Sequence, residues 1–244
     1  MKTIEEFGER VGGLKILLPM VLVLVAAALF IPTYASPAAD ANRTRVVQVT
    51  LDSQPKISQY LDIDSTLYGY GKNACGLVAA AAAVGGENWT RLVAQIASAA
   101  GSNYSRASGI QPSNYVVALK SVFGSEKVMA MEGGSLEQIY DELAAGNVVI
   151  VDLKVNMSTD TPSAEAPNYA HFARVLGIDM DKQEVYVENT IDGAPYWTVP
   201  FADFAAAWAN PETTSSEIPD PQHAEEVTNW AVVLDRSLVA GNGI

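Results

Sequence analysis

The chain has 244 residues but only one cysteine, Cys75, and two histidines, His171 and His223. A single thiol cannot close an intramolecular disulfide, and with neither paired cysteines nor an H-E-x-x-H pattern, no zinc-binding spacing is present. Cations are also scarce: 15 Lys and Arg stand against 28 Asp and Glu, for a net charge of −13. No basic cluster is available to neutralise phosphates, which argues against a nucleic-acid partner. About half of the residues are hydrophobic (49%), enough to bury one core of ordinary density, so global disorder is excluded as well.

Charge is missing altogether from residues 16–31, which follow a polar segment ending in Lys15 and stop at Pro32. As a helix this run spans about 24 Å, short of the roughly 30 Å hydrocarbon core. Small-residue patterns at Thr33-Tyr34-Ala35 and Ala39-Asp40-Ala41 suit signal-peptide cleavage. The first fifteen residues, however, balance Lys2, Arg10 and Lys15 against Glu5, Glu6 and Glu9, so a retained anchor is the alternative. Either way, residues 1–41 read as an export segment with a short linker that enters the membrane at least transiently. Residues 42–244 read as one extracytoplasmic domain. The sequons at Asn42, Asn88, Asn103 and Asn156 read as chance.

Along that domain the hydrophobic period changes. Residues 45–51 suit a first strand or extended arm. An alanine-rich run over 75–84, apolar on nearly every face, predicts a helix buried in the middle of the fold, closed by Gly85-Gly86. Further helices are expected over 89–99, 112–123 and 135–145, the last with Ser135 and Gln138 as a capping box. Short β-branched runs follow at 147–155, 170–178, 184–189 and 196–199, then a helix at 201–208, a polar loop at 211–226 and a closing strand at 229–234. Helices first and strands later predict an α+β fold, with the N-terminal helical part and its central Cys-bearing helix packed on a C-terminal antiparallel sheet.

Cys75 opens its helix within Asn73-Ala74-Cys75-Gly76-Leu77. Unpaired amides and the positive helix end favour a thiolate there, although a free cysteine is often no more than a small buried hydrophobe. Of the two histidines, His223 lies in a polar stretch, whereas His171 opens a strand with Ala173 and Val175 on its face. A hairpin around 179–183 brings that strand beside the one ending at Asn189. An odd-numbered loop puts Asn189 on the face of His171; an even-numbered one turns it away and promotes Glu188. A thiol, an imidazole and an amide in that order suit nucleophilic attack on a carbonyl. Gln59, sixteen residues ahead of the thiol, is a candidate second oxyanion donor beside the Cys75 amide.

Two other patterns are decoys. Gly69-x-Gly71-x-x-Ala74 lacks the strand that a dinucleotide site requires. Asp179-x-Asp181-x-x-Glu184 lacks the glycine and glutamate of a calcium loop and reads as a solvated turn. No cofactor or metal is expected.

Ser58-Gln59, Asn73-Ala74-Cys75-Gly76, His171-Phe172-Ala173-Arg174-Val175-Leu176-Gly177-Ile178-Asp179 and Val185-Tyr186-Val187-Glu188-Asn189 together resemble the C39-like group of papain-like cysteine peptidases. The helix and strand over 135–151 are similar too, and the resemblance spans residues 55–208. Leu77 departs from the proline that often follows Cys-Gly in the family, and Asn189-Thr190 from its Asp-Pro. The resemblance implies a papain-like fold and hydrolysis of peptide or amide bonds through Cys75, His171 and Asn189, with Gln59 at the oxyanion hole. The expected partner is a peptide or protein substrate. A catalytically inactive binding module of the envelope and a cell-wall amidase or endopeptidase similar to NlpC/P60 enzymes are the alternatives.

Overall fold

A computed structural model describes residues 46–48, 73–106, 109–165, 168–190, 196–209 and 228–240. Gln59, His223, the export segment and the 211–226 loop lie outside the described residues. Among the described residues, no helix is long and apolar enough to cross a membrane.

The architecture mixes helix with antiparallel sheet. Helices α1 (Cys75–Gly85), α2 (Trp89–Ala100) and α3 (Pro112–Phe123) come first; α4 (Leu136–Ala144) and α5 (Phe201–Trp208) are interleaved with strands, and α6 (Ser237–Ala240) follows them. The strands are β1 (Val46–Gln48), β2 (Tyr104–Ser105), β3 (Gly109–Ile110), β4 (Val128–Met131), β5 (Val148–Asn156), β6 (Asn168–Asp179), β7 (Glu184–Glu188), β8 (Tyr196–Pro200) and β9 (Ala231–Leu234). The main sheet runs β4-β9-β5-β6-β7-β8, with β1 added to β6, and β2 and β3 form a separate small hairpin.

Why α1 is central follows from its composition. Every residue after Cys75 is buried, and five consecutive alanines keep its surface narrow enough to pack closely against both α2 and β6. The sheet then divides the core cleanly by residue parity. Val148 and Ile150 of β5, with Phe172, Trp230, Val232 and Leu234, meet α1 to α3 on one face. Val149, Val151, Leu153 and Val155 meet Ala173, Val175 and helices α4 and α5 on the other. Helices thus cover both faces, which explains why β5 and β6 read as continuous apolar runs. The capping box of α4 forms as expected: Ser135 Oγ accepts from the Gln138 amide, and Gln138 Oε1 accepts from the Ser135 amide.

Strand β4 is an addition to the sequence reading. It pairs with β9 at the sheet edge, and because its two middle residues are exposed it shows no period-two alternation to announce it.

The hairpin joining β6 to β7 decides where the candidate site residues arrive. Its turn, residues 180–183, is even-numbered, the case expected to turn Asn189 away from His171. A β-bulge reverses that outcome. Asp179↔Glu184, Ile178↔Val185 and Gly177↔Tyr186 pair in one register, and after a shift at Leu176 the next pair is Val175↔Val187. The shift is visible in the packing, since Val175 and Ile178, three residues apart, both enter the same core cluster. One step of extrapolation past β7 brings Asn189 opposite Ala173, on the face of His171.

Candidate active site

Cys75 is the first residue of α1 and a free thiol, half-buried at the end of the helix. Its sulfur accepts hydrogen bonds from backbone N–H groups of Phe172, Gly76 and its own residue. Two of these belong to the helix N-terminus, as the sequence predicts, and the third belongs to β6. Phe172 reaches that position because its side chain packs against the first helical turn. A Cβ placed on Gly76 would lie 3.0 Å from the Phe172 ring and 3.5 Å from Tyr115, so glycine permits the close approach. Tyr115, Phe172 and Trp230 form an aromatic cluster under this turn, with ring centroids 4.9 Å apart for Tyr115–Phe172 and 5.6 Å for Phe172–Trp230. The Tyr115 hydroxyl donates to the Gly76 carbonyl at 2.5 Å and takes a hydrogen bond from the Ala80 backbone, bridging an i, i+4 pair of the helix.

The thiol is not held as thiolate. Burial pushes it up to about 11, and the nearby Asp152 carboxylate adds to the rise; the three backbone donors offset only part of it. The expectation from the helix end alone is thereby reversed. A few partial charges at a helix terminus do not outweigh desolvation in a site packed with aromatic rings.

His171 lies in β6 and is 1% exposed. Its ring packs edge-on against Trp197 at 5.9 Å and Tyr169 at 6.3 Å. Burial alone lowers its pKa to about 4, and its Nε2 has no hydrogen-bond partner among the described residues. The imidazole is therefore neutral near pH 7. Cys75 and His171 meet at one peptide unit: the amide that donates to the sulfur is the one joining His171 to Phe172. The Phe172 side chain takes the α1 face of the sheet, and His171 shares the parity of Ala173 and Val175 on the other face.

Asn189 follows β7 directly and is 2% exposed. Glu188, the alternative partner for His171, is committed elsewhere. Its Oε1 accepts from Arg174 Nη2 at 3.0 Å in a buried ion pair, with its pKa raised by burial and lowered in part by Arg174. The Asp179 carboxylate is used within the turn, where it accepts from the amides of Asp181 and Lys182 and pairs with the Lys182 ammonium.

Sequence alignment with family models places residues 47–216 in one family, described as Peptidase_C39 like. The chain belongs to the Peptidase_C39 like family. Cys75, His171 and Asn189 all fall inside the matched span, and membership gives a peptidase as the family's activity class. No curated protein matches the chain. Among solved structures it is similar to a candidate C39-like peptidase from Bacillus anthracis at 15% identity and a TM-score of 0.48, covering 77% of this chain and 96% of that one.

Asp152, Phe172 and Tyr115 surround the thiol without having been singled out in the sequence of this family member. Only Asp152 carried a signal, as a carboxylate within the β-branched run 148–151 and Leu153. The other two look like ordinary core aromatics until the strand and helices are assembled.

Proposed function

We propose that the chain is an exported, papain-like cysteine peptidase that hydrolyses peptide or amide bonds through Cys75, His171 and Asn189. The observation that carries this reading is the hydrogen bond to the Cys75 sulfur from the amide that joins Phe172 to His171. It brings the nucleophile to the backbone of the residue proposed as its base, whose ring takes the opposite parity on β6, so the base reaches the sulfur only when the ring or the strand end shifts. Because thiol and imidazole both rest neutral, activation accompanies substrate binding rather than preceding it. His171 takes the thiol proton as the sulfur attacks the carbonyl carbon. The carbon–nitrogen bond then breaks, His171 returns the proton to the departing amine, and water hydrolyses the thioester to regenerate the thiol. Asn189 orients the ring. The Cys75 amide and the Gln59 side chain, which lies outside the described residues, receive the developing oxyanion.

The test is cleavage of a peptide library read by mass spectrometry, with native protein compared against Cys75→Ala and His171→Ala. Loss of all cleavage in Cys75→Ala, and a fall of about 10²–10⁴ in His171→Ala, is the expected result. Cleavage by Cys75→Ala at the native rate sinks the proposal.

The neutral pair and an imidazole Nε2 without a hydrogen-bond partner among the described residues also support a second reading, a catalytically silent binding module of the envelope. It requires that native protein cleave nothing and that Cys75→Ala retain the biological phenotype.

A further inference from the structure

We infer that Arg174 and Glu188 are positioning residues that hold Asn189 and Trp197 against His171. This rests on the catalytic reading of His171 and deepens it. The register set at the turn, carried straight on from Gly177↔Tyr186, would bring Asn189 opposite Arg174 and leave it on the wrong face of the sheet. The bulge at Leu176 corrects this by one residue, but the backbone ladder between β6 and β7 ends one pair later, at Val175↔Val187. Beyond that point β6 continues toward His171 paired with β5, whose ladder extends to Asn156↔Asn168. The contact between Arg174 and Glu188 is the next link across the gap, at 3.0 Å, with side-chain exposures of 6% and 5%.

A buried ion pair at such a place adds little net stability, because desolvation offsets its attraction, and apolar residues of similar volume would serve as well. Its attested use is to specify one register over another. Here a slip of one residue would exchange Asn189 for Glu188 on the His171 face. The same register also governs Trp197 of β8, which pairs with Val187 of β7 and lies edge-on to the imidazole. The two side chains thus act from the face opposite His171, through the backbone of the strand they lock.

The experiment follows the histidine itself by NMR, with His223→Ala to assign the two imidazole signals. The variants are Arg174→Met/Glu188→Leu, the reversed pair Arg174→Glu/Glu188→Arg, and Glu188→Gln. In native protein His171 should titrate near 4. In Arg174→Met/Glu188→Leu, with unchanged far-UV circular dichroism and melting temperature, the His171 midpoint should rise by at least one pH unit toward the ordinary 6.5 as its enclosure loosens. The reversed pair should return it to within half a unit of native. A His171 titration that stays within half a unit of native in the folded apolar variant overturns the inference. If that variant does not fold, Glu188→Gln carries the same decision by the same criterion. The readout needs no substrate, so failure of catalysis in the Cys75 and His171 variants is a separate result.

Discussion

Asp152 stands directly across the β5–β6 ladder from Phe172, whose backbone amide donates to the Cys75 sulfur. The pairing puts a carboxylate on the same face of the sheet as the nucleophile, where it opposes formation of a second negative charge. Replacing Asp152 by Asn should therefore move the thiol titration below its native position near 11. Alkylation by iodoacetamide at pH 9 should speed up several-fold, with reagent rates on a free thiol as control. No change in the pH dependence of alkylation would show that the carboxylate does not act on the sulfur.

A thiol titrating near 11 should label slowly in the absence of substrate. At pH 7 iodoacetamide should react with Cys75 more slowly than with an unperturbed cysteine of pKa about 8.5. A peptidyl aldehyde, which occupies the site and supplies a carbonyl, should instead form a thiohemiacetal measurable by intact mass. Rapid alkylation of the free protein at pH 7 would contradict a neutral resting thiol.

The buried imidazole makes stability depend on pH. His171 titrates near 4 when folded and near 6.5 when unfolded. Between those values the unfolded chain binds more protons, so the free energy of unfolding rises with pH across that window and is flat, for this group, outside it. Full stabilisation is present above pH 6.5 and is lost by pH 4, a difference of about 3 kcal/mol. Urea unfolding at pH 7.5, 5.5 and 4.5, compared with His171→Gln, should show the slope in native protein and its loss in the variant.

Crowding at Gly76 should be felt by both fold and site. An added methyl meets the Phe172 ring at 3.0 Å, tighter than ordinary contact, so Gly76→Ala should cost about 1–3 kcal/mol. Because Phe172 carries the amide that binds the sulfur, the variant's peptide cleavage should fall further than its folded fraction at the assay temperature accounts for. Equal losses in both would assign Gly76 to packing alone.

Tyr115→Phe removes the hydroxyl that bridges Gly76 and Ala80 in the first turns of α1. The expected cost is about 1–2 kcal/mol in urea unfolding, since helix groups that had bonded the hydroxyl lose it in a buried place. An unchanged denaturation midpoint would show that the helix closes its own i, i+4 bond without penalty.

Much of the fold was legible because its elements differ in period. The uniform apolar run after Cys75 announced a buried helix, Ser135 and Gln138 announced a capped one, and the β-branched runs announced the strands. The second helical layer, α4 and α5 on the far face, was less visible, since a sequence says that a strand is buried on both sides without saying by what. Asn189 was the hardest residue to place. The sequence left the parity of its loop open; the four-residue turn taken alone points Asn189 away from His171, and a single bulged residue, Leu176, restores the facing. Nothing local in Val175-Leu176-Gly177 distinguishes a bulge from regular pairing.

The sequence by itself determined which side chains were available for chemistry: one thiol at a helix start, one imidazole in an apolar strand, and one amide at the end of the next. Those are properties of composition and of periods that local sterics impose. Only the tertiary structure decided their charge states and their faces. Desolvation depends on everything packed around a group, and the side of a sheet on which a residue emerges depends on a register summed over both strands of a hairpin.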